Sequence, residues 1–227
     1  MLKISTCSKV TAVTTTSPAR SGRGRRSKRP SGDDREAAIL ATAERLLENK
    51  DFADISVDDL AKGAGLSRPT FYFYFPSKDA VLLALMDRVI TEADRTADAA
   101  LGGTPGARVD PAGVWRAINA LFDTFGAHRA VTLAGAAARA GNPEVHSAWT
   151  TFMQKWIDYT TASIQEERDK GAAPDGIPAQ DLAISLNLMN ERTMFATFAG
   201  ETSSVPYDRI VDTLAHVWVS SIYGNAR

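Results

Sequence analysis

The sequence predicts an all-α protein, a small amino-terminal domain of three helices followed by a larger helical domain. Three observations carry that expectation. Apolar residues recur at three- and four-residue spacing along most of the chain, and no stretch alternates as a half-buried strand would. Side chains that cap helix starts (Ser31, Ser56, Ser67, Ser77 and Asn142) stand in front of these stripes. Glycine and proline cluster in the gaps between them. With 227 residues, 44% of them apolar and 23% charged, the composition is that of an ordinary globular protein. Collagen-like, disulfide-stapled and wholly disordered classes are excluded.

Residues 1–30 contain Lys3, Lys9, Arg20, Arg23, Arg25, Arg26, Lys28 and Arg29, with no acid and no aromatic residue, and read as a disordered basic arm. The whole chain has a formal charge of −1, so an arm at +8 leaves −9 on residues 31–227. Ser31-Gly-Asp-Asp34 has the form of a capping box, and Ile39, Leu40, Ala43, Leu46 and Leu47 follow at helical spacing. Ser56-Val-Asp-Asp59 opens a second helix, which Gly63 and Gly65 cut short. Ser67-Arg-Pro-Thr70 opens a third, with proline in the first turn, where a missing N–H costs nothing. Pro76 ends it, and Ser77 caps a fourth through Val81, Leu82, Leu85, Val89 and Ile90. Gly102 to Gly113 is the clearest break in the folded part. Beyond it, Trp115, Ile118, Phe122 and Phe125 form one stripe. Asn142-Pro143 starts a helix through Trp149, Met153, Trp156, Thr160 and Ile164 that stops near Gly171. Residues 178–200 and 206–223 supply two more. The expected domains are therefore 1–30 for the arm, 31–77 for the amino-terminal domain and 78–227 for the carboxy-terminal one.

Residues 57–74, VDDLAKGAGLSRPTFYFY, have the spacing of a helix-turn-helix. Leu60, Ala64, Leu66, Phe71 and Tyr74 supply a small core between two crossed helices, Ala61 leaves room for their approach, and Gly65 suits the tight turn. The second helix offers Ser67, Arg68, Pro69 and Thr70 at its N-terminal end, the end that meets base edges in a major groove. Tyr72, Tyr74 and Lys78 are spaced for phosphate oxygens, as is the helix start capped by Ser56. No acid lies between Leu66 and Lys78, although the body is acidic. A helical hairpin whose aromatics are only core is the bland alternative. The basic arm beside the motif favours double-stranded DNA as partner.

Residues 52–80, FADISVDDLAKGAGLSRPTFYFYFPSKDA, resemble the DNA-binding signature of the TetR family of bacterial repressors. The Ser-Arg-Pro-Thr-Phe-Tyr run and Tyr-Phe-Pro-Ser-Lys carry the likeness. It continues through FMQKWIDYT, LNLMNERT and HVWVSSIYG, toward a branch of the family that controls a Baeyer–Villiger monooxygenase gene. The resemblance implies a homodimer, formed through the last two helices, that represses transcription at a near-palindromic operator. A hydrophobic small-molecule effector filling the carboxy-terminal domain would release it.

Arg20 to Arg29 interleaves its bases with Ser and Gly, and Arg23-Gly-Arg25-Arg26 resembles a minor-groove hook. A solvated tail and plain phosphate attraction are the other readings. In the carboxy-terminal half, large apolar side chains are concentrated at Trp115, Phe122, Phe125, Phe152, Met153, Trp156, Tyr159, Phe195, Phe198 and Trp218. Such residues build a core more often than a cavity. Asn187 and Asn190, three apart on one helix face, alter that balance because amides on an apolar face need partners. Either they bond to each other, to backbone or to a buried water, or they orient the polar group of a mostly apolar ligand. The family resemblance favours the ligand, and it places Met153, Trp156, Thr160, Phe195 and Trp218 on matching pocket positions. It is loosest at Trp115, set closer to Phe125 than the pattern has it.

Enzyme chemistry finds no support. His128, His146 and His216 are isolated, and no His-Glu-x-x-His, phosphate loop or Gly-x-Ser-x-Gly occurs. Cys7 is the single cysteine, so no disulfide forms within the chain, and neither a metal nor a cofactor is expected. The longest apolar run, Val81 to Met86, is far short of a membrane span, and the start lacks the apolar stretch of a secretory signal. A cytoplasmic location is the expectation. The remaining alternatives are an architectural DNA-binding protein without a ligand switch and a lipid carrier whose basic arm binds membrane.

Overall fold

The structure, a computed structural model, describes residues 31–102 and 111–224, so Arg23, Arg25 and Arg26 of the arm lie outside the described residues. The described residues form α1 (Gly32–Leu47), a 3-10 turn (Phe52–Asp54), α2 (Val57–Gly63), α3 (Arg68–Tyr74), α4 (Lys78–Ala100) and α5 (Pro111–Ala127), then α6 (Arg129–Ala138), α7 (Pro143–Asp169), α8 (Ala179–Ala199) and α9 (Ile210–Tyr223). No strand occurs among them, and the fold is all-helical with an amino-terminal helix-turn-helix domain.

The expected caps define the helix starts. Ser31 accepts the N–H of Asp34 while the Asp34 carboxylate accepts that of Ser31, and Ser56 and Asp59 repeat the arrangement. The serine backbone N–H, followed by the serine side chain, holds both carboxyls below the ordinary aspartate range. Ser67, Ser77 and Asn142 each accept an N–H of the following turn. Gly65, at φ +69°, makes the turn between α2 and α3 in the left-handed region that a side chain resists.

The first core gathers Ile39, Leu40 and Ala43 of α1, Ile55, Leu60 and Ala61, Phe71 and Phe75, and Val81, Leu82 and Leu85 of α4, all buried. Tyr74, Ala64 and Leu66 pack at its edge and stay half-buried. The first turns of α4 thus complete the amino-terminal core. Farther along, Val89, Ala93 and Ala97 are buried under the second domain. One helix of 23 residues serves both units, without a break at residue 78.

Two elements differ from the sequence expectation. Helix α6, RAVTLAGAAA, has no stripe of large side chains to announce it. Its small residues let it lie close on α4: a Cβ on Gly135 would fall 2.1 Å from the Met86 sulfur. Helix α9 starts at Ile210, because residues 206–209 form a turn closed by the Arg209 N–H on the Pro206 carbonyl.

Candidate functional site

In the amino-terminal domain, α3 buries Phe71, with Phe75 buried just past its end, and turns its other side outward. Ser56, Ser67, Arg68, Pro69 and Tyr72 are exposed there, with Thr70 and Tyr74 half-buried. Ser67, Arg68, Thr70 and Tyr72 on this face already have partners. The Ser67 and Thr70 hydroxyls lie 2.8 Å apart, and Ser67 Oγ also accepts the Thr70 N–H. Arg68 donates to Asp58 at 3.4 Å and to the Tyr72 hydroxyl at 3.2 Å.

Lys78, expected at a phosphate, is engaged within the protein. Its Nζ donates to the carbonyls of Phe52, Ala53 and Ile55, each at 2.9 Å, and sits 4.8 Å from the Phe52 ring centroid. An ammonium with three donors matches a ring of three carbonyls, so this charge ties α4 to the 3-10 turn. Sequence reasoning missed Phe73, whose ring is 82% exposed on the reading helix. Its position in an aromatic run reads as core, and only the burial of its neighbours separates it from them.

In the second domain two adjoining cavities share Leu121, Trp156, Asn187 and Asn190. Phe125, Met153 and Phe195 line the one toward α6, with Trp149, Phe152, Arg139 and Glu191. Tyr159, Thr160 and Trp218 line the one toward α9, with Glu167 and Tyr223. The space open to water centres is about 60 Å³ in the first and about 40 Å³ in the second, room for a few waters each.

The two amides are half satisfied. Trp218 Nε1 donates to Asn190 Oδ1 at 2.8 Å, which fixes the amide and turns Nδ2 away. Asn187 Nδ2 donates to Thr160 Oγ1 at 3.2 Å and to the Ala183 carbonyl at 2.9 Å. Thr160 in turn donates to the Trp156 carbonyl at 2.7 Å, so its oxygen can only accept from Asn187. Among the described residues Asn190 Nδ2 has no acceptor and Asn187 Oδ1 no donor, and both residues border the two cavities. A free donor and a free acceptor stand one helical turn apart.

Indole hydrogen bonds pin the walls: Trp149 donates to Glu191 at 2.9 Å and Trp156 to Asp94 at 3.0 Å. Arg139 pairs with Glu191 and lies over the Trp149 ring at 5.1 Å. Burial pushes the Tyr159 phenol above its ordinary range.

Two expected wall residues are elsewhere. Trp115 is 41% exposed and donates to Asp212 at 2.7 Å, clasping α5 to α9 from outside. Phe122 is buried behind the wall, stacked on Phe198 at 5.0 Å and against Tyr207 at 4.7 Å. Trp149 and Phe152 belong to the wall instead; both lie on the helical stripe of α7, which is the signal that marks them. Arg139 and Glu191 carry no such signal, since their pairing depends on how α6 meets α8.

Helix α6 runs from the chamber to α1 of the amino-terminal domain. Thr132, Ala136 and Arg139 line the chamber. At its other end His128 Nδ1 lies 2.6 Å from Glu44 of α1, and Nε2 lies 3.5 Å from Glu92 of α4.

Comparison with known proteins agrees with this architecture. The family of bacterial regulatory proteins of TetR type matches residues 39–85, and the carboxy-terminal domain family of the transcriptional regulator EthR matches residues 114–224. The HTH-type transcriptional regulator EthR of Mycobacterium tuberculosis is 65% identical over 206 residues, covering 90% of this chain and 94% of that protein. The chain belongs to the TetR family, in its EthR group. EthR of Mycolicibacterium smegmatis is 59% identical over 213 residues, 93% of this chain and 97% of the relative. Among solved structures, a transcriptional regulator from Saccharomonospora viridis in complex with choline aligns with a TM-score of 0.68 at 22% identity, over 83% of this chain and 96% of that one. The fatty acid degradation regulator FadR from Bacillus halodurans aligns with a TM-score of 0.65 at 16% identity, over 88% and 100%; these two share the fold. The chain is therefore an EthR-like transcriptional regulator with a DNA-binding helix-turn-helix domain and a ligand-binding carboxy-terminal domain, and its relatives and fold are those of regulators, not enzymes. No helix among the described residues is long and apolar enough to cross a membrane.

Proposed function

We propose that this EthR-like regulator is a cytoplasmic repressor that binds a near-palindromic operator as a homodimer. A hydrophobic effector carrying an amide-like group releases it, and the gene it controls encodes a monooxygenase. The observation that carries the effector chemistry is the unpartnered pair of amide atoms, Asn190 Nδ2 and Asn187 Oδ1, in an apolar chamber. A ligand carbonyl would satisfy the first and a ligand N–H the second, each contributing about 1 kcal/mol. A secondary amide with apolar arms is the simplest molecule that does both.

Filling the chamber also supplies the switch. A drug-sized ligand needs roughly 300–1,000 Å³, so cavities open to water centres over only 40 and 60 Å³ must widen to take one. Widening moves α6, whose other end bears on α1 through His128 and Glu44. The exposed faces of α8 and α9, with Leu188 half exposed, are the expected dimer seam. Two reading heads then have to fit half-sites about 34–36 Å apart or a multiple of it. A coupling of about 1–3 kcal/mol between chamber and heads weakens operator binding about 5–150-fold.

The test uses N-alkyl alkanamides of increasing chain length, with matched esters and alkanes as controls. Amides are expected to raise the melting temperature saturably and to release a fluorescent operator duplex. Esters, which lack the N–H, follow more weakly, and alkanes do neither. Equal responses to amide and alkane would refute the role of the amide pair.

A further inference from the structure

The polar reach of the reading helix is largely taken up within the protein. Ser67 and Thr70 bond each other, and Arg68 is held by Asp58 and Tyr72. The most exposed side chain on the outward face of α3 is apolar. Pro69 and Phe73 are four residues apart and so share one face, on the side opposite buried Phe71. Phe73 is the most exposed large hydrophobic among the described residues, at 82%, with its ring edge-to-face on Tyr74 at 5.2 Å. A phenyl group left bare on the last turn of a seven-residue DNA-reading helix calls for an apolar partner on the DNA. In the major groove that partner is the thymine 5-methyl, the one apolar group that base edges present there.

We infer that Phe73, with Pro69 beside it, reads thymine methyl groups in the operator, and that sequence choice at that position rests on apolar contact rather than on hydrogen bonds. The inference depends on the operator reading given above. Phe73 is a specificity residue: the contact discriminates thymine from uracil, which presents the same hydrogen-bonding edge without the methyl. Burial of one methyl corresponds to about fourfold in affinity per half-site, and about fifteenfold for both half-sites of a symmetric dimer.

The experiment starts with the full chain and a random duplex library, from which an operator is selected. Each thymine of that operator is then replaced in turn by deoxyuridine, and affinity is measured with the native chain and with Phe73→Ala. One symmetry-related pair of positions is expected to cost the native chain about fifteenfold and to cost Phe73→Ala nothing further, because its partner is already gone. Phe73→Leu keeps an apolar group and is expected to restore part of the methyl preference. Melting curves check that the exposed substitutions leave the fold intact. If Phe73→Ala binds as the native chain does, or loses affinity equally at every sequence and remains sensitive to deoxyuridine, the inference is overturned while the operator reading stands. If the native chain selects no sequence at all, the operator reading fails and this inference with it.

Discussion

The two functional regions solve opposite problems with polar atoms. In the reading head the capping serines close on neighbours within the same turn, Ser56 on Asp59 and Ser67 on Thr70, and Arg68 of α3 reaches across to Asp58 of α2. The head is a finished object, and its partner has to match its shape. In the chamber, Trp218 and Thr160 each satisfy one side of an amide and leave the other side open to a cavity. That interior leaves polar atoms for a further partner, which the proposed function assigns to a small molecule. On the function proposed above, the difference places the control: the head sets which DNA is bound, the chamber sets whether it is bound, and α6 joins the two domains.

The largest effect expected belongs to the arm. If it neutralises four to six phosphates, deleting residues 1–30 reduces the slope of log affinity against log salt by about 4–5, with little change in preferred sequence. An unchanged slope in salt titrations would remove the arm from the interface.

Lys78→Met tests whether the head is self-contained. Losing a charged donor to three carbonyls is expected to destabilise the protein by about 2–3 kcal/mol, while the salt slope of operator binding stays that of the native chain. A normal melting temperature with a reduced slope would return Lys78 to the phosphates.

Asn190→Leu tests the chamber. It strands the Trp218 N–H, costing about 1–3 kcal/mol of stability, and removes the donor offered to the ligand. Operator affinity is expected to persist while the amide-induced thermal shift is lost. An undiminished thermal shift would show that Asn190 does not contact the ligand. Ser56→Ala gives the smallest effect, about 1 kcal/mol or roughly 2–4 °C of melting temperature from a lost cap. Calorimetry measures it directly.

Much of the head was legible because its signals are local. Caps, the Gly65 turn and the apolar spacing of α2 and α3 act within one or two helical turns. The chamber was legible in its types of residue and less so in their roles. Trp115 and Phe122 lie on the right stripe of α5, but a stripe does not say which of its residues meets a cavity and which meets another helix. Arg139 and Glu191 are 52 positions apart, and Lys78 is 23 to 26 positions from its carbonyls. Such pairings arise only when helices are docked. Helix α6 was invisible for a related reason: its alanines and Gly135 allow close approach, and small residues leave no periodic mark.

Reciprocity between the two sites is the most direct test of the central claim. Operator affinity is measured with and without saturating N-alkyl alkanamide, and amide affinity with and without saturating operator. If filling the chamber is what releases DNA, both ratios are the same number, between about 5 and 150, and Asn190→Leu lowers amide affinity both with and without operator. An amide that binds the chamber tightly and leaves operator affinity unchanged would contradict the account.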